Sequence, residues 1–226
     1  FQVSGPGAFE WLEGLFANRV PRRAGRIGLC HLLTARGGVR SEFTVYRLGE
    51  NSFYLVSAGA FERHDWDYLQ RYCPSDGTVS LEKVTGQYGV LVVAGPRSRD
   101  VLQGLTDTDL SSESFAWLSG KKINLGAAGC HAVRVNFVGE LGWELHHPME
   151  MQNYIFDLLS AAGKPFELKP FGMRAMDSLR LEKSYRLIPR ELSIEYAALE
   201  SGLDRFVDLE KNEFIGKAGL IEWRAR

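Results

Sequence analysis

Arg26-Ile27-Gly28-Leu29-Cys30-His31-Leu32-Leu33-Thr34 is followed by Ala35-Arg36-Gly37-Gly38 and then by Val39-Arg40-Ser41-Glu42-Phe43-Thr44-Val45-Tyr46-Arg47-Leu48. The first run is apolar and strand-like, the second is a turn with paired glycines, and the third alternates like a half-buried strand. Gly49-Glu50-Asn51 turns the chain again into a further strand over 52–57. Three strands joined by short turns predict antiparallel hairpins rather than strict strand–helix–strand alternation, which sets the fold class as α+β.

The elements on either side fit that class. Ser4 is expected to cap a helix that Pro6 opens, with Phe9, Leu12, Leu15 and Phe16 at helical spacing. A helix is predicted over 60–72, with Phe61, Trp66 and Leu69 for its apolar side, and Pro74-Ser75-Asp76-Gly77 makes a weak internal break near 74–78. The second half echoes this pattern. Strands are expected over 79–84 and 88–94, near 122–125, over 130–137 and over 143–146. Pro96 opens a short helix to about 105, and helices are expected over 150–161 and 172–185. The two halves show no clear sequence repeat.

Composition sets the outer limits. The 226 residues are 45% apolar and 24% charged, the profile of a soluble globular chain. With 28 acidic against 27 basic residues the net charge is −1, which gives no field for holding a phosphate backbone and argues against nucleic acid as a partner. No apolar run approaches the roughly 20 residues of a membrane-spanning helix. The first residues show neither a signal peptide nor a Met, so the chain reads as one domain over 1–226 cut from a longer protein. Three scattered cysteines, Cys30, Cys73 and Cys130, form no disulfide framework and suit a reducing compartment. Cys30-His31 and Cys130-His131 hint at zinc. Neighbours on a strand point to opposite faces, however, and no C-x-x-C or H-x-x-H spacing occurs, so no metal is expected.

Chemistry-bearing motifs are sparse. Gly5-Pro6-Gly7 and Ala94-Gly95-Pro96-Arg97 complete no phosphate-loop or dinucleotide fingerprint and read as turns. The five histidines have no G-x-S-x-G elbow to serve. Two glutamates stand out. Glu42 shares a strand face with Arg40, Thr44 and Tyr46, and Glu140 lies between Gly139 and Gly142, where a tight turn and a flat ligand could approach closely. Spacing alone leaves both readable as surface acids.

Seven segments, in order, carry a resemblance: residues 3–8 (V-S-G-P-G-A), 37–45 (G-G-V-R-S-E-F-T-V), 93–96 (V-A-G-P), 139–145 (G-E-L-G-W-E-L), 179–186 (L-R-L-E-K-S-Y-R), 200–203 (E-S-G-L) and 214–217 (F-I-G-K). The chain resembles the folate-binding aminomethyltransferase domain family of the glycine-cleavage T-protein. It is most similar to the branch fused behind flavin domains in dimethylglycine dehydrogenase, dimethylglycine oxidase and sarcosine dehydrogenase.

That resemblance implies a T-protein-like α+β domain with antiparallel hairpins and packed helices, without the small C-terminal β-rich domain that family members carry further on. It implies tetrahydrofolate as the cofactor, with FAD expected only in a preceding region. Glu140 would accept two hydrogen bonds from the pterin, whose amino group and ring N–H match a carboxylate's paired acceptors. Glu42 would be the catalytic acid-base residue, with Thr44 facing the same way as a second cofactor-binding residue. T-proteins carry an Asp-Asp pair where this chain has Ser41-Glu42, a departure that favours the flavin-linked branch.

The implied function is capture of the one-carbon unit released when dimethylglycine or sarcosine is oxidised, giving 5,10-methylenetetrahydrofolate. The implied partners are folate, an N-methyl amine-derived iminium or formaldehyde, and a fused or associated flavin domain. The alternatives are a T-protein aminomethyltransferase and a non-catalytic regulatory relative. Localisation would be cytoplasmic in a bacterium and mitochondrial in a eukaryote. Arg174 and Arg180 are the basic groups that could meet a folate tail.

Overall fold

In a computed structural model of the chain, in which residues 1–225 are described, the hairpins form as expected and fall into two compact units. The first unit comprises Phe1–Lys83 and Arg186–Arg226, and the second comprises Val84–Tyr185.

The first unit opens with a short strand, β1 (Gln2–Ser4), and a helix, α1 (Ala8–Leu15). Then come β2 (Ile27–Leu33), β3 (Val39–Gly49), β4 (Ser52–Val56), α2 (Glu62–Tyr72) and β5 (Ser80–Glu82). They make an antiparallel sheet in the order β2-β3-β4-β1-β5. Alternation along β3 is the reason it forms as it does. Val39, Ser41, Phe43 and Val45 are buried, while Arg40, Glu42 and Thr44 stay half-buried on the other face. Phe43 and Val45 join Val3, Leu12, Phe16, Phe53, Leu55 and Leu69 in one core, each fully buried or nearly so. Burying each such side chain contributes roughly 1.5–3 kcal/mol.

The second unit repeats the order with β6 (Tyr88–Ala94), α3 (Ser98–Gln103), β7 (Gly120–Leu125), β8 (Ala128–Val133), β9 (Gly142–Pro148) and α4 (Gln152–Gly163), and adds α5 (Met173–Glu182). Its sheet runs β6-β9-β8-β7, all antiparallel. Trp143, Phe115, Leu102, Leu125 and Leu145 fill its core.

After Tyr185 the chain returns to the first unit and ends in α6 (Lys217–Arg224). This segment is stitched to the first 40 residues. Val39 N–H donates to Ser193 C=O at 2.9 Å, Ala198 N–H to Gly37 C=O at 2.9 Å and Asp208 N–H to Ala17 C=O at 2.9 Å. The Lys211 ammonium donates to the carbonyls of Glu13 (2.5 Å), Phe16 (2.7 Å) and Asn18 (2.9 Å) at the end of α1, where helix carbonyls lack partners.

Three local expectations are corrected, and one helix is added. Ser4 does not cap α1: it ends β1, which pairs with β4 and β5, and the helix begins after Gly7 without a side-chain cap. Pro96 precedes the cap residue Arg97 rather than opening α3. The strand expected over 130–137 ends at Val133, because Asn136 bends the chain. Helix α6 was not foreseen. No helix among the described residues is long and apolar enough to cross a membrane.

Candidate functional site

The Gly37-Gly38 turn positions the first candidate. Gly37 has φ of 86°, a left-handed conformation natural to glycine, and a Cβ on Gly38 would fall on the Ile194 carbonyl. The turn returns β3 alongside β2 with His31 directly opposite Glu42. Residues opposed in an antiparallel pair project to the same face, and there the His31 Nε2 lies 2.9 Å from Glu42 Oε2. His31 has no exposed surface, whereas the Glu42 side chain keeps 29% of its own. Glu42 is thus a carboxylate fixed at one oxygen and open to solvent. Thr44 lies two residues on along β3, half-buried on the same face, opposed by Leu29 and Val56.

Ser41, on the opposite face, is a core residue. Its hydroxyl donates to Asp65 Oδ1 at 2.5 Å, and Asp65 is fully buried on α2. An aspartate at position 41 would set a second carboxylate against a buried one, which like-charge repulsion and desolvation oppose. Serine suits this core because its hydroxyl donates to the buried carboxylate. Cys30 also faces away from His31: it is buried in the core, where burial pushes its thiol pKa up to about 12.

Glu140 lies in the second unit, in the connection between β8 and β9. Asn136 shapes that connection. Its Oδ1 accepts from Val138 N–H and Gly139 N–H, both at 3.0 Å, and its Nδ2 donates to Glu140 C=O at 2.9 Å. Gly139 is left-handed (φ 70°), and a Cβ there would lie 2.5 Å from Lys183 Cγ. A Cβ on Gly142 would lie 2.5 Å from the Val93 carbonyl. Both glycines therefore answer to the protein's own atoms. The Glu140 carboxylate is 41% exposed and 3.6 Å from the equally exposed Lys183 ammonium, a separation and exposure at which a pair contributes little.

Arg180 is not available to a ligand tail. It is 1% exposed, its Nε donates to Asp177 at 2.7 Å and its Nη1 donates to Tyr185 C=O at 2.7 Å. Arg174, in the first turn of α5, is exposed. Glu42 and Thr44 thus share one strand face of the first unit, and Glu140 belongs to the second. Sequence reading weighed His31 as a metal ligand and passed over Asp65. Counting outward from the 35–38 turn puts Thr34 opposite Val39 and His31 opposite Glu42, so His31 was within reach. Asp65 carried no signal, because its role depends on how α2 packs.

Residues 1–211 match the GCVT N-terminal domain family. The mitochondrial dimethylglycine dehydrogenase of Mus musculus is 37% identical over 222 residues, which cover 97% of this chain and 25% of that protein. An aminomethyltransferase of Thermoanaerobacter sp. (strain X514) is 32% identical over 225 residues, covering 97% of this chain and 60% of the relative. The solved glycine cleavage system aminomethyltransferase T from Bartonella henselae superposes with a TM-score of 0.84 over 99% of this chain and 60% of its own length. At 22% identity that likeness establishes the fold, the T-protein-like α+β arrangement expected from the sequence. The chain therefore spans a quarter of the dehydrogenase and three-fifths of the aminomethyltransferase. With its family match running nearly end to end and its fold in agreement, this chain belongs to the GCVT N-terminal domain family.

Proposed function

We propose that the chain is the tetrahydrofolate-binding domain of a flavin-linked N-methyl amine dehydrogenase or oxidase, and that it captures the released one-carbon unit as 5,10-methylenetetrahydrofolate. The observation that carries this reading is the Glu42 carboxylate, anchored through one oxygen and solvent-accessible through the rest. Dimethylglycine dehydrogenase relatives at up to 37% identity support the branch, and Ser41, bonded to the buried Asp65, stands where the resemblance puts the first acid of the T-protein pair.

Tetrahydrofolate supplies two nucleophilic nitrogens, each bearing a hydrogen. Joining both to one carbon releases two protons, of which one leaves with the amine derived from the iminium and one must be accepted. In this reading Glu42 accepts it, at the oxygen that His31 does not hold. Glu140 holds the pterin: its carboxylate is exposed enough to present both acceptors, and no buried partner occupies them. Thr44 adds a hydroxyl on the Glu42 face. FAD and the amine-oxidising site belong to a flavin domain outside this chain.

A second reading has independent support. The aminomethyltransferase relatives, at 32% identity, favour transfer of an aminomethyl group from a carrier protein by the same two glutamates. Calorimetry of the chain with tetrahydrofolate, together with a search for a fused or co-purifying yellow flavoprotein, tests both. Binding with a flavin partner supports the first reading, binding with a lipoyl carrier supports the second, and no binding refutes both. Glu140→Gln is expected to weaken folate binding by roughly 1–3 kcal/mol with the fold intact, and unchanged affinity would remove Glu140 from the pterin site.

A further inference from the structure

We propose that His31 is the positioning residue for Glu42, holding one carboxylate oxygen so that the other is the oxygen that takes the proton. This rests on the proposed role of Glu42 and makes the His31 contact that anchors it a determinant of the reaction rate.

The geometry carries the inference. His31 sits directly across the β2–β3 ladder from Glu42, with Nε2 2.9 Å from Oε2. A carboxylate only accepts, so Nε2 is the nitrogen that bears the hydrogen. The other nitrogen, Nδ1, is buried without a hydrogen-bond partner among the described residues. A hydrogen placed there would be an unpaired buried donor, and the lone pair is the cheaper group to leave alone. Phe206 lies against the imidazole, with ring centroids 5.5 Å apart, and fixes its plane. A wholly buried ring with one donor nitrogen and one carboxylate in reach has a single arrangement to offer. Cys30 and Leu32, its neighbours on β2, fill the core with no polar atom left over of this sort.

The second unit provides an internal control. The rung that corresponds to His31–Glu42, counted along the matching hairpin, is Asn124–Gly129, which carries no carboxylate and no imidazole. The second unit's sheet thus forms without such a pair at this rung.

Two measurements test the proposal. The first is nitrogen-15 NMR of the histidine side chains in the wild-type chain, assigned with His31→Gln. A hydrogen on Nε2 and a pyridine-like Nδ1 for His31 are expected, and the reverse tautomer would overturn the proposal whatever the variants do. The second uses the complete protein with its flavin partner, read as the ratio of formaldehyde to methylenetetrahydrofolate at saturating folate. His31→Leu is expected to lower the folate product roughly 10- to 100-fold, the scale of one hydrogen bond to a charged group, with folate affinity unchanged. His31→Gln, which keeps an N–H donor, restores most of it. Adding His31→Leu to Glu42→Gln costs nothing further if His31 acts through Glu42, whereas a structural role would make the losses add. A wild-type ratio in His31→Leu, with Glu42→Gln impaired, overturns the proposal alone. A wild-type ratio in Glu42→Gln overturns the role of Glu42 itself.

Discussion

The two units are built on one plan, and their registers match. Val3 pairs with Phe53 and Ser4 with Ser52 in the first, while Val93 pairs with Trp143 and Ala94 with Gly142 in the second, an offset of 90 residues at every position. The backbone follows suit: Gly5 N–H donates to Asn51 C=O and Gly95 N–H to Leu141 C=O, then Ala8 N–H to Gly5 and Ser98 N–H to Gly95. Inward-facing rungs keep their character, with Cys30–Phe43 matched by Ile123–Cys130, all buried. Outward-facing rungs do not. His31–Glu42 is answered by Asn124–Gly129, and Thr44–Val56 by His131–His146. The loops differ as well: β2 and β3 extend past this rung through a bulge at Leu32/Leu33 to the turn at 35–38, whereas β7 and β8 close at once through Gly126-Ala127. The shared core specifies the fold, and the opposite face of each sheet is where the two have diverged in chemistry.

The strongest way to sharpen that contrast is Glu42→Gln. With general-base assistance removed, the ratio of methylenetetrahydrofolate to formaldehyde should fall by on the order of 10²–10⁴-fold while folate still binds and the flavin still turns over. A wild-type ratio would make the open face of the first unit as inert as the Asn124–Gly129 rung.

The shared plan is tested by Leu12→Ala and Leu102→Ala, which truncate equivalent, fully buried residues of α1 and α3. Each should cost about 2–5 kcal/mol in denaturant unfolding of its own unit. A large loss at one and none at the other would break the equivalence.

Smaller still is the difference between Gly5→Ala and Gly95→Ala. Both glycines have nearly the same positive φ, 118° and 124°, so both variants incur backbone strain of about 1–3 kcal/mol. Only at Gly5 would the added Cβ fall on a backbone atom, the Thr78 carbonyl on the approach to β5, while at Gly95 it meets open space. Gly5→Ala should be the more damaging by thermal unfolding, and equal losses would mean that the fifth strand imposes nothing on the turn.

The smallest effect is a slope. Burial, aided by Lys122 and His146, lowers the His131 pKa from its usual 6.5. The unfolded chain therefore takes the proton first. Stability should be level above about pH 6.5, decline as pH falls through that value, and level again below the folded pKa. His131→Asn should flatten this decline in urea midpoints measured from about pH 7.5 to 5. Thr44, its counterpart in the first unit, has nothing to titrate.

The hairpins, the α+β class and the helices α2 and α4 were legible because alternation and turn glycines are local signals. The duplication was also written in the sequence. Val3, Gly5, Pro6, Leu12, Gly14 and Leu15 recur as Val93, Gly95, Pro96, Leu102, Gly104 and Leu105. It is faint because the remaining strands share little beyond Leu32 with Leu125 and Leu55 with Leu145, their outer faces having changed. Strand β1 was hidden because three residues give no period, and its pairing comes from β4 and β5, both distant in the chain. Glu42 and Glu140 were found through motif resemblance. Asp65 and the burial of Arg180 follow from helix packing, which leaves no trace in spacing.

Lys211 ties the end of α1 to a segment 195 residues further along, and the whole of the second unit lies between. On a ribosome adding roughly 5–20 residues per second, the carbonyls of α1 wait some 10–40 s for that ammonium to be synthesised. During that interval the continuous second unit can finish folding, while Leu33, Val39 and Ala17 still lack the apolar cover that Leu192, Phe214 and Leu220 later bring. The first strands to emerge thus belong to the last unit to close, and a nascent chain stalled before residue 211 would present a sticky, half-covered sheet to any chaperone nearby.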